Sequence, residues 1–183
     1  MKKIINILFV LFFALINIGA VYEIDASRNA SIHNNLGVNY MKEHYYFGAI
    51  KEFEIAIQIN PNTQASATYY NNLGKVYLKT GYYDLSEKSF KEALSRNTTN
   101  FEFYQNLVES YKQQNKLQSE LKKAMADNKN ISRIIAGLIL IQTGKIEAGI
   151  STLDEFCFDE PDMIITKGIK NYIRTVADKE LKF

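Results

Sequence analysis

A chain of 183 residues, 46% of them hydrophobic and 23% charged, holds enough apolar material for one packed domain and too little length for two. Lys2 and Lys3 account for the whole excess of its 22 basic over its 20 acidic residues, so the chain beyond its N-terminus is neutral and nucleic acid is excluded as a partner. Two prolines and nine glycines exclude a strand-rich fold of tight turns, and the lone Cys157 excludes an intrachain disulfide, which leaves it as a small buried apolar residue.

Lys2 and Lys3 precede an apolar run from Ile4 to Ile18 that ends at Gly19-Ala20, the layout of a secretory signal. The pattern predicts cleavage after Ala20, with a weaker site at Ala26. The alternative is an uncleaved anchor from Ile4 to Val21, roughly at the lower length limit for a bilayer span, which Asn6 and Asn17 oppose. Either way the remainder emerges beyond the membrane, and the lysine-, asparagine- and isoleucine-rich composition points to a bacterial periplasm or envelope. The plan is a signal or anchor over 1–20, a short linker over 21–29, and one helical domain over 30–183.

Within that domain a segment recurs. Asn34-Asn35-Leu36-Gly37-Val38-Asn39-Tyr40 returns as Asn71-Asn72-Leu73-Gly74-Lys75-Val76-Tyr77, and more loosely as Gln105-Asn106-Leu107-Val108-Glu109-Ser110-Tyr111. Leu36 and Tyr40 are four apart and share a helical face, while Gly37 lets a partner helix approach. Ala49, Phe53 and Ala56 mark the facing stripe of a second helix, which Pro61 stops. In these spacings the first copy, 30–63, resembles the tetratricopeptide repeat family, two antiparallel helices in about 34 residues. The family's aromatic at the fourth position is His33 here, and Tyr70 and Tyr104 in the next two copies.

The second copy, 67–100, keeps Gly74, Tyr77, Gly81, Phe90 and Ala93, with Ser86 at the small position and Thr98 in place of proline. The third, 101–128, has a credible first helix, but its second, around Lys116 to Asp127, carries Glu120 and Ala124 where a small residue and an aromatic belong. A fourth pair is placed at Ile131 to Gln142 and Lys145 to Phe158, with Gly137, Gly149, Leu153 and Pro161 on compatible spacing. The step from Val108 to Gly137 is shorter than a full repeat, so something between them has been lost. After Pro161, Ile165, Ile169, Tyr172, Ile173 and Val176 describe one amphipathic capping helix to Leu181, with Lys167, Lys170 and Arg174 on its wet side. The expected fold is an all-α superhelix of three to four hairpins plus this cap.

The resemblance implies a concave side, lined by the first helix of each pair, that holds an extended peptide or a helix of a partner protein. It maps that groove onto Asn34, Asn35, Asn71, Asn72, Gln105 and Asn106, with Lys75, Lys79, Glu109 and Lys112 nearby, an amide-rich strip able to meet both donors and acceptors of a peptide backbone. Of the family's carboxylate clamp only Asn72 matches: Val38, Glu102 and Asn106 stand where asparagine, lysine and arginine are needed. A structural alternative is that asparagine before the Leu-Gly pair is a family habit.

Ile134 to Ile141 is apolar all round and must be covered on every face. It is either buried beneath the final helix, or it is an apolar interface at Ile134, Leu138 and Ile141 through which the chain pairs with a second copy or a partner helix. Tyr45-Tyr46-Phe47 and Tyr82-Tyr83 fall at turns and are read mainly as packing. His33 and His44 lack a cysteine or carboxylate at ligand spacing, and no zinc, phosphate-loop, dinucleotide or nucleophile motif occurs. No catalytic, metal or cofactor residue is therefore expected, and the reading is a non-enzymatic adaptor for a protein or peptide, touching membrane only through an uncleaved N-terminus.

Overall fold

The computed structural model describes residues 25–127 and 129–180. The signal or anchor and the cut at Ala20 lie outside the described residues. Helix α1 spans 25–42, so it begins inside the segment expected as a linker, and Ala26 sits in its first turn. Eight more helices follow: α2 Tyr46–Ile59, α3 Ser66–Lys79, α4 Tyr83–Arg96, α5 Phe101–Gln113, α6 Leu117–Ala126, α7 Asn130–Gln142, α8 Ile146–Asp159 and α9 Ile164–Glu180. Among the described residues there is no strand, and no helix is long and apolar enough to cross a membrane.

Four hairpins arise from one turn used four times. The second residue after each first helix is left-handed: His44 at φ 62°, Gly81 at 82°, Asn115 at 56° and Gly144 at 82°. The next amide then reaches back five residues, Tyr45 to Tyr40, Tyr82 to Tyr77, Lys116 to Tyr111 and Lys145 to Leu140, at 2.8–2.9 Å. This double-bonded helix terminus caps the orphan carbonyls and sends the chain antiparallel. Glycine takes the left-handed conformation without a Cβ penalty in two of the turns.

Inside a hairpin, the first helix is indented and the second fills the indentation. A Cβ on Gly37 would stand 2.7 Å from the Phe53 ring, one on Gly74 2.6 Å from Phe90, and one on Gly137 2.7 Å from Leu153. Ser86, at the small position of the second hairpin, adds a buried bond from its hydroxyl to the Gly74 carbonyl at 2.9 Å. Gly149 goes further, since a Cβ there would lie 2.7 Å from the Gly137 carbonyl oxygen. The third hairpin reverses the sizes: Val108 replaces the glycine and Ala124 the aromatic, both in the main core cluster. Its second helix α6 has 10 residues where α4 has 14, which is where the repeat was shortened.

Consecutive hairpins stack α2 on α3, α4 on α5 and α6 on α7, while α3, α5 and α7 adjoin one another along one side. Phe90, Tyr104, Leu107, Ile134, Leu153, Ile165 and Ile169 form one continuous core from the second hairpin to α9. The last helix caps the stack with Lys167, Lys170 and Arg174 exposed. It does so by packing on α8 and reaching back to α5: the Phe101 and Tyr172 ring centroids are 5.4 Å apart, and a Cβ on Gly168 would stand 3.1 Å from the Phe101 Cβ.

Candidate binding groove

The first helices α1, α3 and α5 bring the predicted amides together, but bonded to each other. Asn72 donates from Nδ2 to Asn34 Oδ1 at 2.9 Å, linking α3 to α1. Asn106 donates from Nδ2 to Asn71 Oδ1, also at 2.9 Å, linking α5 to α3. Asn34, Asn71 and Asn72 are buried. These amides staple successive repeats, because a buried polar group must find a partner and each neighbouring helix supplies one. The strip expected to meet a ligand is in this part an internal seam.

Outside the seam, Asn35 and Lys79 are exposed and Gln105 is half-buried. Lys75 meets Glu102 at 2.9 Å, and Lys112 lies 3.9 Å from Glu109 while donating to Gln142 Oε1 at 3.3 Å. Glu109 also accepts from Gln113 at 2.8 Å. Glu102 was not among the predicted groove residues, although it is the second residue of the third copy and faces Lys75 of the groove. Burial pushes its carboxyl up, and the bonds and charge from Lys75, with Asn106 and Asn71, outweigh burial and leave it below the usual carboxylate range. The surface that remains for a partner is a mixed strip of amides and alternating charges.

The fourth hairpin offers no such strip. Ile134 and Leu138 are 1% and 2% exposed, so the apolar interface predicted at these residues is corrected: they belong to the core beside α9. Ile141 is half-buried and lines a cleft of about 260 Å³ with Ile146, Tyr172 and Val176. The aromatic turns also differ from expectation. Tyr45, Phe47 and Tyr82 are mostly exposed, although Tyr45 stands edge-on to Tyr40 at 5.3 Å and Tyr82 to Tyr77 at 6.3 Å.

The fourth-position aromatics each find a partner, His33 and Tyr70 within their own hairpin and Tyr104 in the connection that precedes its own. His33 Nδ1 stands 2.6 Å from Glu52 Oε2, the Arg96 guanidinium lies 4.2 Å from the Tyr70 ring, and Tyr104 donates to the Thr98 carbonyl at 3.0 Å. Burial pushes the Tyr104 phenol up to about 12. His33 and Glu52 join α1 to α2, and a hollow of about 810 Å³ lies elsewhere, where α7, α8 and α9 meet, lined by Arg133, Asp154, Glu155, Cys157, Phe158, Asp159, Pro161 and Lys170. Cys157 is buried, and burial raises its thiol above the usual value. Among the described residues no group of histidine, cysteine and carboxylates is placed to hold a metal.

Comparison with known proteins agrees with this architecture. Tetratricopeptide repeat profiles match residues 30–63 and 67–100. No curated protein sequence matches the chain. Among solved structures, the MamA protein is 19% identical with a TM-score of 0.50, covering 84% of this chain and 91% of that one. PilF of Pseudomonas aeruginosa is 13% identical with a TM-score of 0.52, covering 86% and 72%. A tetratricopeptide repeat protein from Parabacteroides merdae is 14% identical with a TM-score of 0.52, covering 83% of this chain and 61% of its own. At these identities the likeness is one of fold: a solenoid of helical hairpins.

Proposed function

We propose that this chain, which carries tetratricopeptide repeats at 30–63 and 67–100, is a non-catalytic adaptor that holds another protein on its concave side within a bacterial envelope. Repeats of this kind act as protein-interaction scaffolds, because stacked hairpins present a long, curved, preformed surface. The observation that carries the reading is the seam itself. Asn72–Asn34 and Asn106–Asn71 lock three first helices into one rigid wall, and a rigid wall loses little entropy when a ligand settles on it. Export rests on the lysine-led apolar run at 4–18 alone.

A photo-crosslinking amino acid placed in the cell at Asn35 or Gln105 tests the proposal against the same probe at Lys88 or Lys122, which are exposed on second helices. Adducts to one protein from the first pair and not the second support it. Equal labelling from both pairs, or none from Asn35 and Gln105, removes the concave side from the account. Location is checked separately by cell fractionation, where a chain retained in the cytosol refutes export without touching the adaptor reading.

A further inference from the structure

The outer faces of the last two helices carry opposite charge. Helix α8 holds four carboxylates, Glu147, Asp154, Glu155 and Asp159, and no basic residue. From 164 to 177, α9 holds Lys167, Lys170 and Arg174 and no acidic residue, before Asp178, Lys179 and Glu180 close its last turn. Glu147, Asp154 and Phe158 fall on one helical stripe, as do Lys167, Lys170 and Arg174, and all six are exposed. Of the charges on these two strips, only Asp159 has an ion-pair partner among the described residues, Arg133 at 2.7 Å.

The hollow of about 810 Å³ opens between the strips, with Cys157, Phe158 and Pro161 on its apolar wall and Asp154 and Lys170 also lining it. Phe158 is 86% exposed, and Ile164 at the start of α9 is 77% exposed, apolar area that the chain itself does not cover.

We propose that this face docks a second copy of the same chain, paired about a two-fold axis that runs along the furrow between α8 and α9. Such a rotation lays the acidic α8 of each copy on the basic α9 of the other, and every contact is made twice. An acidic strip beside a basic one is self-complementary under that rotation, whereas α8 set on α8 is rejected by repulsion. Asp154 and Lys170 line the same hollow, so they stand at one height along the helices. An axis parallel to the helices preserves that height, and Asp154 of each copy therefore meets Lys170 of the other. Between these pairs Phe158 of each copy enters the hollow of the other, an apolar anchor ringed by charge. The contact does not involve Ile134 or Leu138, which are core, and it is independent of what the concave side holds.

Sedimentation of the full chain at low salt should show a mass that rises with concentration to twice that of one chain, and that falls back as salt screens exposed pairs. Asp154→Lys with Glu155→Lys makes the centre of both strips basic, and Lys167→Glu with Lys170→Glu makes it acidic. Each double variant alone should dimerise about tenfold more weakly or worse, because exposed attractions become repulsions. An equal mixture of the two should dimerise as tightly as the parent, since every acidic centre again meets a basic one. All four side chains are exposed, so Tm at low concentration should stay at the parent's value, and Phe158→Ser should weaken the dimer in the same way. A parent that remains monomeric overturns the inference. A dimer indifferent to both exchanges, such as one made through residues 4–21, overturns it as well, and a mixture no tighter than either variant alone refutes the crossing of α8 with α9. None of these outcomes alters the photo-crosslinks expected from Asn35 and Gln105.

Discussion

Phe90 occupies the space that Gly74 leaves empty: a Cβ on the glycine would stand 2.6 Å from Phe90 Cε1 and 2.8 Å from Cδ1. The obstruction is a ring with no exposure, so it has nowhere to turn. Gly74→Ala gains about 1 kcal/mol of helix propensity and still loses net stability, since forcing a methyl into a packed core costs about 1–3 kcal/mol. The expected fall in Tm is a few degrees, at about 2–4 °C per kcal/mol for a chain of this size. Phe90→Ala alone should cost about 3–5 kcal/mol. Gly74→Val with Phe90→Ala should cost less than the two single losses added together, because the third hairpin already runs on Val108 and Ala124. A strictly additive thermal double-mutant cycle would show that these positions do not share the space.

The amide seam makes a different prediction for positions that look alike in sequence. Asn72→Ala strips Asn34 Oδ1 of its donor at a buried site, which should cost about 1–3 kcal/mol. Asn35→Ala, one residue from Asn34 but exposed, should stay within about 0.5 kcal/mol of the parent. Urea titration with an unchanged m-value separates them through the midpoint. Equal midpoints would mean that the seam contributes nothing. Loss of partner binding in Asn72→Ala is therefore first a stability effect, and Asn35 and Gln105 are the residues to alter when recognition is the question.

Hairpin register was legible because it depends on local size: glycine, tyrosine and phenylalanine recur at fixed offsets, and the structure keeps those offsets at Gly37 and Phe53, and at Gly74 and Phe90. Two of the four left-handed turn residues were hidden, since His44 and Asn115 replace the glycine that marks the turn at Gly81 and Gly144. The bonding of Asn34 to Asn72 was not legible either. A periodic row of asparagines reads equally as a ligand strip or as a seam, and only the separation of the helices decides. The return of α9 to α5 depends on Gly168 meeting Phe101, a tertiary contact with no periodic signature. The apolar turn Ile134 to Ile141 did announce that something must cover it, and α9 was one of the two covers considered.

Acid should weaken the join between the second and third hairpins. Burial raises the Glu87 carboxyl, and bonds from Lys91, Lys116 and Gln114 outweigh burial and bring it down to about 2. A carboxyl lowered in the folded chain contributes stability above its unfolded value of about 4.3 and loses it as pH falls towards the folded value. Between pH 4.5 and 2 the parent should therefore lose stability that Glu87→Gln never had. Lys116 and Lys91 are largely solvated, so the difference is about 1 kcal/mol after screening. Parallel pH profiles of the two proteins would refute the assignment.

Alanine 93 and alanine 124 occupy second helices of adjacent hairpins and should respond oppositely to enlargement. Ala93 has no exposure and sits in the packed cluster with Phe90, so Ala93→Leu overfills the core and should cost about 1–3 kcal/mol. Ala124 borders a cavity of about 140 Å³ lined also by Tyr111, Glu120, Asp127, Ser132 and Ile135, the space left where other hairpins carry an aromatic or leucine. Ala124→Leu can direct its methyls towards Tyr111 and Ile135, and filling such a cavity commonly gains about 0.5–2 kcal/mol. Thermal unfolding of the two variants decides: a lower Tm for Ala124→Leu comparable with that of Ala93→Leu would show that α6 has closed onto α5 and that no usable space remains.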